Sequence, residues 1–143
     1  MKNVNQNQFP HLKIIKHYIK DLSFENPQSV LAKKSEIRNS SVEVDLNLLY
    51  NSYDDQFFGV TLRYNCKSSI KTKKSNLFLL EIDYLGIFSV NNKNQFKEDV
   101  LTKEGARLIF PFARSIIANI SQNGGGMPIM LDNISFDLER INP

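Results

Sequence analysis

Residues 42–49 read VEVDLNLL and form the clearest β-strand pattern in the chain. Polar side chains alternate there with apolar ones at Val42, Val44, Leu46 and Leu48. This period of two is typical of a strand with one buried face. Residues 57–66 repeat the alternation, and residues 77–90 form a third long β run. Because only short polar turns separate the three runs, they predict an antiparallel meander.

The sequence before the meander is less regular. Residues 11–20, HLKIIKHYIK, predict a further strand. Residues 21–38 show no clear period and predict a long crossing loop. Residues 1–10 are rich in Asn and Gln and are expected to be disordered. A single domain is therefore predicted over residues 11–140.

The pattern changes after the meander. Residues 106–122, ARLIFPFARSIIANISQ, have apolar side chains at helical spacing. Pro111 lies inside this stretch and predicts a kink or a fresh start of the helix one turn in. Gly124 follows and is expected to end the helix, and residues 132–140 predict a short C-terminal helix. Strands first and helices last indicate an α+β fold.

The long helix is apolar on more than one side. Leu108, Phe112, Ile116 and Ile120 form one row, and Ile109, Ala113 and Ile117 form an adjacent row. Such a helix needs more than one apolar surface to pack against. Its own sheet supplies one, and another subunit is the simplest source of the second. The sequence thus predicts an oligomer with its helices at the centre.

Composition limits the classes of function. The net charge of +3 is uneven, since residues 1–38 carry seven Lys/Arg and three Asp/Glu. This bias is weaker than that of dedicated nucleic-acid binders. A β-sheet module for single-stranded RNA, using Phe57 and the lysines within residues 71–74, remains the alternative interpretation. The polar start resembles no signal peptide, and no run is long enough to span a membrane, so a cytoplasmic protein without direct membrane insertion is expected.

Nothing in the sequence predicts an active site. His11 and His17 are the only histidines, and no Cys, Asp or Glu accompanies them at metal-ligand spacing. The single cysteine, Cys66, belongs to the apolar face of its strand, and its side chain is expected to pack in the core. No catalytic residue, metal or cofactor is therefore predicted. Apolar positions next to acids, such as Leu79 beside Glu81, favour a binding protein instead.

Four segments resemble signatures of the SecB family of protein-export chaperones. Tyr18–Pro27, YIKDLSFENP, is similar to the first signature of that family. The other three, in family order, are GIFS at residues 86–89, IFPFAR at residues 109–114 and ISFD at residues 134–137. The matches to the family run from about residue 12 to 138, so the resemblance extends over nearly the whole chain.

The resemblance implies both a fold and a function. It implies an α+β fold in which a long helix and a short C-terminal helix pack on one face of a four-stranded antiparallel sheet. It implies assembly as a dimer of dimers, a homotetramer. The implied function is a non-enzymatic chaperone that keeps unfolded precursor proteins translocation-competent in the cytosol and delivers them to SecA. No nucleic-acid partner is implied.

The resemblance also implies roles for particular residues. SecA binding is expected at Asp21, Glu25, Leu79 and Glu81. Client binding is expected at Pro27, Val30, Leu31, Ile37, Ile134, Phe136 and Leu138. The tetramer interface is expected at Leu80, Ile82 and Tyr84. The sequence pI near 9.0 departs from the acidic character of the family and predicts weaker electrostatic steering of basic SecA segments.

Overall fold

A computed structural model describes residues 9–27, 32–71 and 75–133. Its four strands are β1 (Lys13–Glu25), β2 (Ser40–Ser52), β3 (Phe57–Ile70) and β4 (Ser75–Ser89). Its helices are a short α1 (Lys34–Arg38), a single 3-10 turn (Lys93–Gln95) and a long α2 (Glu98–Asn123). The predicted α+β class, with a four-stranded antiparallel sheet and a long helix, is confirmed.

The strands form one antiparallel sheet in the order β1-β4-β3-β2. Strands β2, β3 and β4 are consecutive neighbours, as the alternating runs predict. Strand β1 instead pairs with β4, so β1 and β2 occupy opposite edges although they are consecutive in the chain. The connection between them must therefore pass from one edge of the sheet to the other, and α1 lies within it.

Helix α2 covers one face of the sheet. The β3 side chains that point toward the helix are fully buried: Phe58, Val60, Leu62 and Tyr64. Ala106, Ile109, Ala113 and Ile117 of the helix join them in a single apolar core. Gly105 permits the close approach, because a Cβ atom there would lie 2.7 Å from Cγ2 of Val60. Burial of apolar surface between helix and sheet is thus what holds the fold together.

Several boundaries differ from the sequence predictions. Strand β1 continues to Glu25, because residues 21–25 pair with β4, so they are not part of a crossing loop. Helix α2 begins at Glu98, eight residues before the predicted start at residue 106. It is continuous through Pro111, which is exposed, so the predicted fresh start is wrong. Local periodicity missed α1 because it is only five residues long.

Some predictions fall outside the described part of the chain. Residues 1–8, most of the segment expected to be disordered, lie outside it; of the rest, Phe9 is exposed and Pro10 is buried. The C-terminal helix predicted at residues 132–140 also lies outside, except for Asp132 and Asn133, which are not helical.

Candidate binding surfaces

The sheet face opposite α2 brings the four predicted SecA-binding residues together. In the β1–β4 pairing Asp21 lies opposite Asp83, and Glu25 lies opposite Leu79. Glu81 lies between the two pairs on β4, and side chains two residues apart on a strand share a face. Asp21, Glu25 and Glu81 are exposed. We call Asp21, Glu25, Glu81 and Asp83 the acidic face.

Asp83 also lies on this face, although the sequence analysis did not name it as a site residue. Its partner Arg63 was not named either. The Arg63 guanidinium on β3 donates two hydrogen bonds to the Asp83 carboxylate, at 2.9 and 3.0 Å. These bonds raise the pKa of Arg63 above its usual value. The signal for Asp83 was available, since it continues the alternation that begins at Leu79 and Glu81. The pairing with Arg63 required knowledge of the strand register.

An apolar groove of about 170 Å³ lies beside the helix-covered face. Its walls come from α1, the strands β2, β3 and β4, and the segment that follows α2. The apolar lining residues used below are Ile37, Val42, Phe78, Met127 and Ile129. Val42 and Met127 remain 42% and 56% exposed. The groove therefore presents apolar side chains to solvent, where another polypeptide can bury them.

The wall after α2 is held by a buried hydroxyl. The Ser121 side chain is fully buried, and its Oγ accepts a hydrogen bond from the backbone N–H of Ile129 at 2.8 Å. The same hydroxyl donates to the Ile117 carbonyl at 2.8 Å. Gly125 has a φ of 88°, which reverses the chain so that Met127 and Ile129 return along the helix. The sequence predicts that the glycines at residues 124–126 end the helix, but it does not predict this reversal of the chain.

The predicted client-binding residues are only partly covered by the structure. Ile37 lines the apolar groove. Pro27 is exposed but is not among the groove's lining residues. Five other candidates lie outside the described residues: Val30, Leu31, Ile134, Phe136 and Leu138. For them client binding stays a prediction.

The three predicted interface residues lie beneath the helix of their own chain. Leu80, Ile82 and Tyr84 are 0%, 1% and 4% exposed in the single chain and belong to its core. These three side chains are therefore already buried before any partner is added. A role in assembly, which stays a prediction, would have to act through the helix that they support.

Tyr84 links this core to the surface. Its hydroxyl lies 2.5 Å from Nδ1 of His17, and the His17 ring stacks on Phe112 with centroids 4.3 Å apart. Burial raises the pKa of Tyr84. Phe112 is 43% exposed, so the apolar row of α2 that contains Phe112 is only partly covered.

The described residues offer little metal or thiol chemistry. Residues 9–27, 32–71 and 75–133 contain no group of three or more His, Cys, Asp or Glu that could hold a metal ion. Cys66 is buried, and burial raises the pKa of its thiol to about 11, so the reactive thiolate is scarce at neutral pH. Within the same part of the chain no helix is both long and apolar enough to cross a membrane.

The alternative RNA-binding interpretation gains little from the geometry. Phe57 is half-buried at the start of β3, so its ring is not a free stacking platform. Lys71 is exposed, while the other lysines of the proposed tip lie outside the described residues.

Comparison with known proteins gives consistent matches. The family model described as "Preprotein translocase subunit SecB" matches residues 5–138. A protein-export protein SecB of Parvibaculum lavamentivorans is 41% identical over 130 residues, 89% of this chain and 75% of the relative. That of Mesorhizobium japonicum is 36% identical over 135 residues, 94% of this chain and 80% of the relative. That of Rickettsia felis is 35% identical over 138 residues, 94% of this chain and 89% of the relative.

Among solved structures, the fold is similar to that of the Mycobacterium tuberculosis Rv1957 SecB-like chaperone in complex with a ChAD peptide from the Rv1956 HigA1 antitoxin. The TM-score is 0.72 with 10% sequence identity, covering 87% of this chain and 91% of that one. At this identity the likeness concerns the fold alone.

Proposed function

The chain belongs to the SecB family and is a protein-export chaperone, and we propose that it works by holding unfolded precursor proteins in the cytoplasm and passing them to SecA. Chaperones of this kind act by binding, and the described residues offer two surfaces that can do so. The proposal assigns one surface to the client and another to SecA.

The apolar groove is the observation that carries client binding. An unfolded precursor exposes apolar side chains that are buried in its folded form, and such side chains gain roughly 25 cal/mol per Å² of apolar surface that they bury. Ile37, Val42 and Met127 offer that surface on three different segments. Because the contacts are apolar and non-directional, many client sequences can use them. The solved structure of the M. tuberculosis SecB-like chaperone with a bound peptide agrees with this mode of action.

The acidic face is the proposed docking surface for SecA. Three exposed carboxylates and the paired Asp83 lie on a regular sheet surface around the half-buried Leu79. A partner with basic groups would be steered toward this surface by the charge. The face lies on the opposite side of the sheet from α2, so a client in the groove and SecA on the acidic face can bind together.

The proposed assembly is a homotetramer. On the side of the sheet that α2 covers, Ile19 and Leu22 of the edge strand β1 remain 39% and 42% exposed. Phe112 of α2 is similarly exposed on the same side. These side chains and the open edge of β1 are surfaces that a second subunit would cover.

A refolding assay tests the proposed function. A slow-folding precursor is diluted from denaturant with and without the protein, and its refolding is followed. Wild type should delay refolding, and Val42→Asp combined with Met127→Asp should shorten the delay. Val44→Asp is the matched control, because Val44 lies on the same face of β2 and is 39% exposed but does not line the groove. An equal delay with the double variant and with wild type would remove the groove from client binding.

A further inference from the structure

The wall of the apolar groove that follows α2 begins with a turn that has no side chains. Three consecutive glycines, Gly124–Gly126, join the end of α2 to the wall residues Met127 and Ile129. Glycine has the greatest backbone freedom of any residue. The N–H of Gly126 donates to the Ser121 carbonyl at 3.1 Å, which ties the turn to its own helix but not to the sheet. The position of the wall relative to the sheet therefore depends on contacts from other segments.

The end of β1 supplies one such contact through a hydrogen bond. The Asn26 side chain donates from Nδ2 to the backbone carbonyl of Gly124. This carbonyl lies directly after the last residue of α2, where helix carbonyls have no partner within the helix. Pro27 follows Asn26 and restricts the Asn26 backbone to extended conformations, which limits the directions that the amide can take. The glycine turn is thus held by a side chain from the opposite end of the chain.

Phe24 contacts the same turn from two residues earlier on β1. A Cβ atom at Gly124 would overlap the Phe24 ring, so only glycine leaves room for the ring there. The ring also packs on Phe78 of β4, with centroids 5.5 Å apart, and Phe78 lines the groove. A Cβ atom at Gly126 would lie 3.1 Å from Phe78, so Phe78 blocks any movement of the turn toward the sheet.

Neither Phe24 nor Asn26 lines the groove, so each can affect a client only through the wall. The groove measures only about 170 Å³, so a small outward shift of the wall changes which side chains fit. In an apolar pocket of fixed shape, one methylene more or less changes binding by about 10-fold or more. Whatever holds the wall therefore also decides how selective the groove is.

We propose that Asn26 is a positioning residue that sets the width of the apolar groove and thereby its preference among client side chains. Its bond to Gly124 holds the wall residues Met127 and Ile129 against the sheet. Without the bond the glycine turn moves outward, because Phe78 blocks the other direction. The wider groove accepts bulkier side chains and contacts small ones less closely. The inference rests on the proposed function and deepens it, because it identifies what makes the client site selective.

A comparison of two peptides tests this. Both are blocked glycine–serine peptides, one with two adjacent leucines and one with two adjacent tryptophans. Each is titrated into isotopically labelled protein, and amide chemical shifts at Met127 and Ile129 report occupancy of the groove. The quantity compared between variants is the ratio of the two dissociation constants. A loss of folded protein alone lowers both apparent affinities by the same factor, so it leaves this ratio unchanged.

Asn26→Ala should shift the ratio about fivefold in favour of the tryptophan peptide, because a loosened pocket discriminates less by size. Asn26→Asp should do the same, since a carboxylate has the shape of the amide but no hydrogen to donate. Asn26→Gln keeps the donor and should restore most of the wild-type ratio. Asn51→Ala is the matched control, because Asn51 is exposed on β2 and does not line the groove.

Three outcomes would overturn the inference. They are a ratio within about twofold of wild type in both Asn26→Ala and Asn26→Asp, an equal shift with Asn51→Ala, and an equal shift with Asn26→Gln. Absence of shifts at Met127 and Ile129 with both peptides would remove the groove as a client site, and the inference with it. A wild-type protein that delays precursor refolding while the ratio stays unchanged in the variants loses only the role of Asn26. Loss of the delay itself concerns the proposed function.

Discussion

The Arg63 guanidinium on β3 holds the Asp83 carboxylate on β4 in a two-bond ion pair at one end of the acidic face. Asp21 lies directly opposite Asp83 on the neighbouring strand β1. One of the four acidic groups is thus partly neutralised within the chain itself. This agrees with a protein whose overall charge is positive, and it makes Arg63 a residue that tunes the field of the face.

Replacing Arg63 with Gln should strengthen the acidic face. The Asp83 carboxylate loses its cationic partner, so the face gains one net negative charge. Association with SecA should become several-fold faster at low ionic strength, and the gain should shrink as salt is added. Stopped-flow association kinetics at two salt concentrations measure this. Lys34→Gln, an exposed change of equal charge on α1, is the control and should have a smaller effect. Equal acceleration by both variants would show that net charge alone is responsible.

Reversing the charge of Glu81 should have the opposite effect on SecA. Glu81→Lys places a positive charge between Ser23 and Asn65, its cross-strand neighbours on the acidic face. SecA binding should weaken while the delay of precursor refolding persists. Glu43→Lys is the matched control, because Glu43 is also exposed but lies on the distant edge strand β2. If the Glu43 variant loses as much SecA affinity as the Glu81 variant, the docking surface lies elsewhere.

Replacing Ile82 with Arg should unfold the chain instead of only separating subunits. Ile82 is 1% exposed beneath α2, and an unpaired charge buried there would cost several kcal/mol. Total stabilities of domains are only about 5–15 kcal/mol. Circular dichroism with denaturant should show a large loss of stability, whereas Glu81→Arg, one residue along on the opposite face, should retain it. A folded Ile82 variant of reduced mass would instead support a direct subunit contact for this residue.

Stability should fall in the alkaline range because of the Cys66 thiol. Burial raises its pKa in the folded chain from 9.0 to about 11, so the folded state keeps its proton where the unfolded state has lost it. The stabilisation is complete below pH 9 and is lost as pH rises through about 11. A difference of about two units corresponds to on the order of 2–3 kcal/mol.

Urea unfolding measured between neutral pH and about pH 11 tests this. Cys66→Ala should be less stable at neutral pH because it leaves a cavity, but its stability should depend less steeply on pH. The relevant quantity is therefore the slope of the free energy of unfolding against pH, and not its value at neutral pH. Buried Tyr64, whose pKa is also raised from its usual value of 10.0, adds a loss of stability above about pH 10 that both proteins share. Identical slopes in the two proteins would mean that Cys66 does not titrate in this way.

The sequence by itself determined the elements whose patterns are local and long. The alternation from Val42 to Leu48 predicts β2, and the helical rows that include Ile109 and Ala113 predict α2. Both follow from side-chain periodicity, which is a property of neighbouring residues alone. The four family segments likewise lie in the sequence, which is why the family and the residues Asp21, Glu25, Leu79 and Glu81 could be named from it.

Only the tertiary structure decided which residues from distant segments meet. The pairing of Arg63 with Asp83 depends on the register of β3 against β4, and the burial of Lys93 depends on the β2–β3 turn folding against the start of α2. The burial of Val60 and Phe88 against α2 depends on how closely the helix approaches the sheet at Gly105. Periodicity gives the face on which a side chain lies, but the partner on that face follows from long-range packing, in which separate segments settle their contacts together.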